Sequence, residues 1–396
     1  MRSPDRGPRG AARNPRSDPG GDPPPPAAAR GKATLTIDLA AVAANFRSLA
    51  SRLAGARCGA VVKADAYGLG LSEIAPALAA AGCRDFFIAD LDEGIALRRL
   101  LGEAAIYVLN GPAAGTAAEF EEHRLFPVLN DLAQVAEWAA HARGRGGLSA
   151  ALHVDTGMSR LGLPAQEAAT LAREPERLAD VHLACVMSHL ACADEPDHPL
   201  NARQLDAFRA ARAGLPTAPA SLANSAGIFL GPEYHFDLAR PGAALYGLRP
   251  VMERPNPLAP AIRLEAPILQ VRDVDSPMTV GYGATYQVPR RGRIATVPVG
   301  YADGYLRSLS NRGSAFIGDI RVPVVGRVSM DLITLDVSDV PAALARPGAR
   351  VELIGPHYTV DDLAADAGTI GYEILTSLGR RFSRRYPEGP ESPGTD

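Results

Sequence analysis

Between residues 59 and 247 the sequence repeats one device, a short apolar run followed by a longer Ala/Leu-rich stretch of helical character. The runs are GAVVK (59–63), FFIAD (86–90), AIYVLNG (105–111), FPVLND (126–131), ALHVDTG (151–157), HLACVMSH (182–189), SLANS (221–225) and DLARPGAALYG (237–247). Uninterrupted apolar runs separated by helices point to parallel strands buried on both faces. Eight such units predict an α/β fold, a TIM-type (β/α)8 barrel. From about residue 261 the texture changes. Runs such as APILQVRDV, RIATVPVG, RVPVVGRV, LITLDVSDV and RVELIG are separated by Gly, Pro and Asp, with little helical pattern between them. They predict a mostly-β second domain. A helix-like stretch over 361–379 and a basic end, Arg380 to Tyr386, close it. The expected organisation is a Pro/Gly/Arg-rich disordered tail over 1–31, the barrel over 32–260, the β-rich C-terminal domain over 261–386, and a polar disordered tail over 387–396.

Several classes of function are excluded at this stage. The net charge of −3 leaves no electrostatic footprint for nucleic acid. No stretch approaches the ~20 apolar residues of a membrane span. The first 31 residues have no apolar segment of the kind a secretory signal needs. The four cysteines have neither metal-ligand spacing nor the density of a disulfide scaffold, which fits a reducing cytoplasm. Asp194-Glu195 and Asp197-His198 read as a solvated loop and a helix start, so no metal is expected. Thr279–Gly283 spells the potassium-filter pentapeptide TVGYG, which carries no weight without membrane helices around it.

Of the 41 basic residues only Lys32 and Lys63 are lysines, and Lys32 sits at the end of the tail. Lys63 is therefore the only lysine of the folded body. Surface charge tolerates a drift from Lys to Arg, but chemistry that needs a deprotonated primary amine does not, because guanidinium stays protonated. Schiff-base formation with a carbonyl compound is chemistry of that kind. Lys63 also follows Gly59-Ala60-Val61-Val62, which is not a surface pattern.

Lys63, Arg160, His189, Ser225 and Arg240 each follow an apolar run directly or within a few residues. If the runs are barrel strands, all five lie on the C-terminal rim, where active sites of this fold sit. Taken singly each has a plainer reading: Arg160 as a surface charge, His189 as a satisfied core histidine, Ser225 as the cap of a helix begun by Asn224-Ser225, Arg240 as a turn residue before Pro241-Gly242. Their joint placement favours a site.

The segment AVVKADAYGLG (60–70) resembles the pyridoxal-phosphate (PLP) lysine motif of the alanine racemases. HVDTGMSRLG (153–162), MSHLACADE (187–195), LANSAG (222–227), DLARPGAALYG (237–247), VGYGATY (280–286), GYADG (300–304), GRVSMD (326–331) and TIGYE (369–373) resemble that family's other signatures in its order, so the resemblance covers about residues 33 to 386. It implies a PLP-dependent racemase that interconverts L- and D-alanine, supplying D-alanine for peptidoglycan or degrading it. It implies roles as well. Lys63 is the Schiff-base lysine and Tyr282 the opposing acid/base. Tyr67, Ser225, Tyr372 and the backbone of Gly242 and Ala243 grip the phosphate. Arg240 faces the pyridine nitrogen, and His189 bridges Arg240 and Tyr282. Arg160 takes the substrate carboxylate, and Met330 edges the pocket mouth. The family's geometry is a homodimer in which Tyr282 and Met330 serve the other subunit's lysine.

Three positions depart from the family pattern. Leu69 replaces a usual histidine, Ser329 stands where many members have cysteine, and His153 stands where several carry a carbamylated lysine that braces the substrate arginine. With no lysine there, another group must orient Arg160, His153 itself being one candidate. The motifs also admit a serine, lysine or broad-spectrum racemase of the same fold. A basic amino-acid decarboxylase of the related barrel is opposed by Arg240. A non-catalytic PLP-binding protein of the single-barrel type is opposed by the second domain that carries Tyr282.

Overall fold

The computed structural model describes residues 32–387; the expected tail over 1–31, and all but the first residue of the one over 387–396, lie outside the described residues. Each of the eight apolar runs overlaps a strand. They are Arg57–Cys58 with Ala60–Val61, then Asp85–Ile88, Ala105–Val108, Phe126–Leu129, Leu148–His153, Val181–Met187, Ala220–Ser221 and Leu238–Ala239. Neighbours pair in parallel through the series from Ala60–Val61 to Ala220–Ser221. Leu238–Ala239 pairs in parallel with Arg57–Cys58, and the Gly59 amide donates to Ala239 O at 2.9 Å. On its other side the Asp237 amide donates to Ala220 O (3.0 Å) and the Arg240 amide to Ala223 O (2.8 Å), which closes the barrel.

Closure explains the uninterrupted apolar runs, because these strands face side chains on both surfaces. Phe87, Tyr107, Val128, Ala151, Cys185, Met187 and Leu238 fill the interior, with the Phe87 and Tyr107 rings stacked at 4.6 Å. The alternate residues Phe86, Ile88, Ile106 and Val108 join the outer core. Two runs also end in the residue that starts the next helix. Asp90 accepts from the Glu93 amide at the head of Leu91–Leu100, and Asp131 from the Gln134 amide at the head of Leu132–Ala142.

Two departures from the sequence reading stand out. The last two units carry no α-helix, only single 3-10 turns over Gly227–Phe229, Pro232–Tyr234 and Ala243–Tyr246. Gly227, Gly231 and Pro232 interrupt that stretch too often for a helix to propagate. Residues 34–37, which follow the start of the expected barrel segment, instead enter the second domain's main sheet. There Thr34–Ile37 pairs antiparallel with Ile262–Pro267 and parallel with Ser383–Arg385. The remaining strands of that sheet are Arg350–Ile354, Ser314–Ile317 and Ile320–Pro323. A three-stranded sheet (Gln270–Val274, Gly292–Val297, Ile333–Asp336), a small hairpin (Thr279–Val280, Tyr286–Gln287) and two helices (Val360–Ala367, Gly371–Ser377) complete the domain. No helix among the described residues is long and apolar enough to cross a membrane.

Candidate active site

A cavity of about 830 Å³ opens at the C-terminal ends of the strands. Lys63, Arg160, His189, Ser225 and Arg240 all line it, as do Tyr67, Gly242, Ala243 and Tyr372. Tyr372 arrives from the C-terminal helix Gly371–Ser377, so the second domain walls the cavity on one side.

Lys63 stands at the head of an unusual turn. Ala64, Asp65, Ala66 and Tyr67 all have left-handed backbone angles, with φ between 53° and 59°. Each such non-glycine residue costs about 1–2 kcal/mol, so the surroundings must enforce the turn. The Ala66 amide donates to Val62 O (2.9 Å), the Gly70 amide to Asp65 O (3.0 Å), and the Leu71 amide to the Asp65 carboxylate (2.7 Å). Tyr67 is buried between Tyr246 and Tyr372, its ring centroid 4.9 Å and 5.9 Å from theirs. Burial lowers the Lys63 amine below the usual lysine range, the charge of Arg160 lowers it further, and Glu93 opposes the shift. A depressed amine is more often neutral, as a Schiff-base nucleophile must be.

One end of the cavity is built for an anion. The amides of Gly242 (3.0 Å) and Ala244 (3.2 Å) donate to Ser225 Oγ, which leaves the hydroxyl hydrogen free to donate. Gly242 has no alternative, because a Cβ there would overlap the Tyr67 hydroxyl. The expected helix after Ser225 is instead the 3-10 turn Gly227–Phe229. Just before it Asn224 Oδ1 accepts from the Gly227 amide at 2.9 Å, and the turn has no side-chain cap, so Ser225 is not spent as one.

Arg240 is 3% exposed, and among the described residues it forms no ion pair. Its Nη2 donates to Ser188 O at 2.6 Å and its Nη1 to Ser221 Oγ. Burial brings its pKa down to about 10, which still leaves it charged near neutral pH. Arg240 Nη2 also lies 3.4 Å from His189 Nδ1. Arginine only donates, so Nδ1 accepts and the proton of neutral His189 sits on Nε2. Burial, with Arg240 and Arg160 adding to it, holds His189 well below the usual histidine range.

His153 has the opposite tautomer. Asn130 Nδ2 donates to Leu109 O (3.1 Å) and Val128 O (2.9 Å), so Asn130 Oδ1 must be the atom facing His153 Nδ1 at 2.8 Å. Nδ1 therefore carries the hydrogen and Nε2 a lone pair. No hydrogen bond joins His153 to Arg160 among the described residues. The Arg160 loop is held by Asp155, whose carboxylate accepts from the amides of Gly157, Met158 and Ser159. It is also held by Gly162, where a Cβ would press on Asp155 N at 2.8 Å.

Tyr282 and Met330 lie away from the cavity. Tyr282 is 72% exposed at the tip of the hairpin formed by the TVGYG segment, and Met330 is 54% exposed. Met330 O and Ser329 O accept from the amides of Ala302 and Tyr301, which joins the GYADG and GRVSMD motifs at one edge of the domain. At the cavity mouth Leu161, Ile370 and Tyr372 are exposed as well. In the 194–198 segment, His198 accepts from the Leu200 amide at the head of helix Pro199–Gly214.

Sequence reasoning missed Glu93, Asn130, Ser188 and Ser221. Each acts through backbone groups or through another side chain. Glu93 carried a signal that misleads, because three residues after the cap Asp90 it reads as a helix-capping glutamate.

Residues 37–250 match the family described as alanine racemase, N-terminal domain, and residues 261–386 the one described as alanine racemase, C-terminal domain. The chain is 55% identical to the alanine racemase of Rhodospirillum rubrum over 90% of its own length and 96% of that relative. It is 52% identical to that of Brucella abortus, covering 89% of this chain and 93% of the relative. Among solved structures it resembles the alanine racemase of Bartonella henselae with covalently bound pyridoxal phosphate, at a TM-score of 0.87 and 41% identity, covering 90% of this chain and 99% of that one.

Proposed function

The chain belongs to the alanine racemase family, and from that premise we infer that it interconverts L- and D-alanine with pyridoxal 5'-phosphate as cofactor. The observation that carries this reading is the setting of Lys63. The only lysine of the folded body lines a cavity with two arginines and an anion-ready end, and its amine is depressed. The donor set fits the cofactor: a neutral amine for the carbonyl carbon, hydroxyls and amides for the phosphate, and a fixed cation for the ring nitrogen.

When bound, the cofactor accepts the electron pair released at Cα. Lys63 Nζ anchors it and moves the Cα proton on one face. Ser225, Tyr67, Tyr372 and the Ala243 amide would hold the phosphate, and Gly242 lines the same end with its amide fixing Ser225 Oγ. Arg240 meets the ring nitrogen and, as a guanidinium, hands over no proton. Arg160 receives the substrate carboxylate in two parallel hydrogen bonds. The opposite face needs its own proton donor; within one chain the cavity lining offers the neutral His153 and His189, the phenols of Tyr67 and Tyr372, which belong to the phosphate grip, and Glu373, whose carboxylate accepts from Thr369 Oγ1. We assign that task to the partner subunit's Tyr282, with Met330 at the mouth, in a homodimer whose sites are shared. Their exposure beside other apolar surface supports the assignment. His189, whose Nδ1 accepts from Arg240, keeps a hydrogen on Nε2 that would serve as donor to that phenolic oxygen. The product serves peptidoglycan synthesis or the substrate is consumed by degradation, in a cytoplasm where four unpaired cysteines are at home.

Incubation with L-alanine, followed by chiral chromatography, is expected to end near equal amounts of both enantiomers, with L-serine and L-lysine far slower. Borohydride is expected to fix the cofactor on Lys63. Racemisation confined to serine or lysine would overturn the substrate, and a label on Lys32, or none, the cofactor site.

His153 supplies a test of its own. Burial lowers its pKa to about 4 from 6.5, with Arg240 and Arg160 adding to the shift and Asp155 opposing it. Its folded-state pKa is depressed, so the stability it confers is full above pH 6.5 and is lost as the pH falls towards 4. That loss is on the order of 3 kcal/mol. His153→Ala is expected to flatten the decline of Tm across that window and to raise KM for alanine more than it lowers kcat, since Nε2 offers Arg160 an acceptor. Unchanged kinetics together with an unchanged Tm profile would remove His153 from both roles.

A further inference from the structure

The left-handed turn after Lys63 needs something outside itself to hold its first residue. The Ala64 amide donates to Glu93 Oε1 at 2.6 Å, while Glu93 Oε2 accepts from the Ala89 amide at 2.8 Å. Ala89 follows the strand Asp85–Ile88, and Glu93 lies in the first turn of the helix Leu91–Leu100. The carboxylate thus pins the lysine turn to the neighbouring βα unit, across a junction that the strand pairing Ala60↔Phe86 and Val61↔Phe87 has already brought into register. A helix cap needs one oxygen, and the second is aimed at the residue next to Lys63.

We propose that Glu93 is a positioning residue for Lys63, fixing the strained turn that aims the amine into the cavity and placing a carboxylate beside it. The inference rests on Lys63 being the cofactor lysine. The strain argument gives the bond its weight. Four consecutive non-glycine residues in the left-handed region persist only where neighbours over-determine them. Asp65 and Tyr67 secure the far end of the turn, and at its start the Ala64 amide is held by the Glu93 carboxylate. The charge argument is separate. The other groups around the amine are the cations Arg160 and Arg240, the neutral His153 and His189, and Glu373, whose carboxylate is taken by Thr369 Oγ1. Glu93 is therefore the carboxylate that opposes the cations at the lysine, which agrees with its upward effect on the amine.

Two variants separate reach from charge. Glu93→Gln keeps the length and removes the charge, and its amide nitrogen cannot accept from the second donor. Glu93→Asp keeps the charge and is too short to span both amides. Two quantities are read on the full-length, cofactor-loaded enzyme. One is the rate at which hydroxylamine strips the cofactor, and the other is the pH midpoint of the visible absorption band. Both variants are expected to lose cofactor about tenfold faster, the equivalent of one charge-assisted hydrogen bond. The midpoint is expected to move to lower pH in Glu93→Gln and to stay in Glu93→Asp; a role in helix capping alone would leave it in place in both. Unmoved stripping and an unmoved midpoint in Glu93→Gln overturn the proposal while leaving Lys63 as the cofactor lysine. If Glu93→Gln does not fold, Glu93→Asp decides, faster stripping supporting the proposal and unchanged stripping overturning it. A wild-type enzyme whose borohydride label lies elsewhere than Lys63 overturns the cofactor reading instead.

Discussion

Lys63→Ala and Tyr282→Phe enzymes, each expected to lose about three orders of magnitude or more in kcat, should regain activity when their subunits are mixed. The ground is the distance between the two residues' settings. Lys63 lines the cavity, whereas Tyr282 is exposed on a hairpin of the second domain and does not line the cavity of its own chain. If the partner supplies Tyr282, a heterodimer carries both lesions in one site and neither in the other. A statistical mixture of equal chains places half the dimers in that form, so recovery should approach about one quarter of wild type in a two-fold dimer. Steady-state racemisation read alongside native mass spectrometry checks it. Confirmed heterodimers without recovered activity would show that Tyr282 serves its own chain's lysine or takes no part.

Arg240→Glu is the second large effect. The guanidinium is buried and gives its two Nη groups to Ser188 O and Ser221 Oγ, so nothing at that position can accept a proton. A carboxylate there would let the ring nitrogen keep its proton and make the ring a stronger electron sink. The carbanion formed at Cα would then live longer and suffer more side reaction before it is reprotonated. Racemisation is expected to fall by about two orders of magnitude, since preorganised electrostatics at a buried position carry effects of that size. Pyruvate formed per turnover is expected to rise about tenfold or more on the same grounds. Enzyme that still binds the cofactor and forms no more pyruvate than wild type would count against the argument.

The barrel was legible because burial on both faces removes polar residues from its strands, and FFIAD and FPVLND carry in addition the aspartate that starts the next helix. The rim residues were legible for a related reason, since in a parallel barrel the position just after a run is a position at the site. Thr34–Ile37 was misplaced because its partners, Ile262–Pro267 and Ser383–Arg385, lie far along the chain and local pattern carries no trace of that pairing. The left-handed turn was hidden as well, because Ala64 to Tyr67 would suit an ordinary helix and only Gly68 and Gly70 hint otherwise. Glu93 and Asn130 escaped notice because their partners are a backbone amide and a histidine more than twenty positions away. His153 was singled out from the sequence as a departure, but its bond to Asn130 rather than Arg160 could come only from coordinates.

The strand Thr34–Ile37 is among the first folded segments to leave the ribosome; it has no partner until Ile262–Pro267 follows, and its other edge stays open until Ser383–Arg385 does. The Tyr386 hydroxyl, which donates to Leu69 O across 317 residues of chain, closes on the lysine loop last of all. Synthesis runs from the N-terminus, and contacts of such separation form late. The nascent barrel therefore carries its lysine before the clamp that steadies the lysine loop exists. A chain released short of its last ten or so folded residues would leave one sheet edge bare and that loop unlatched, and is expected to be cut by protease faster than the full chain. Completion of the polypeptide is thereby coupled to competence of the site.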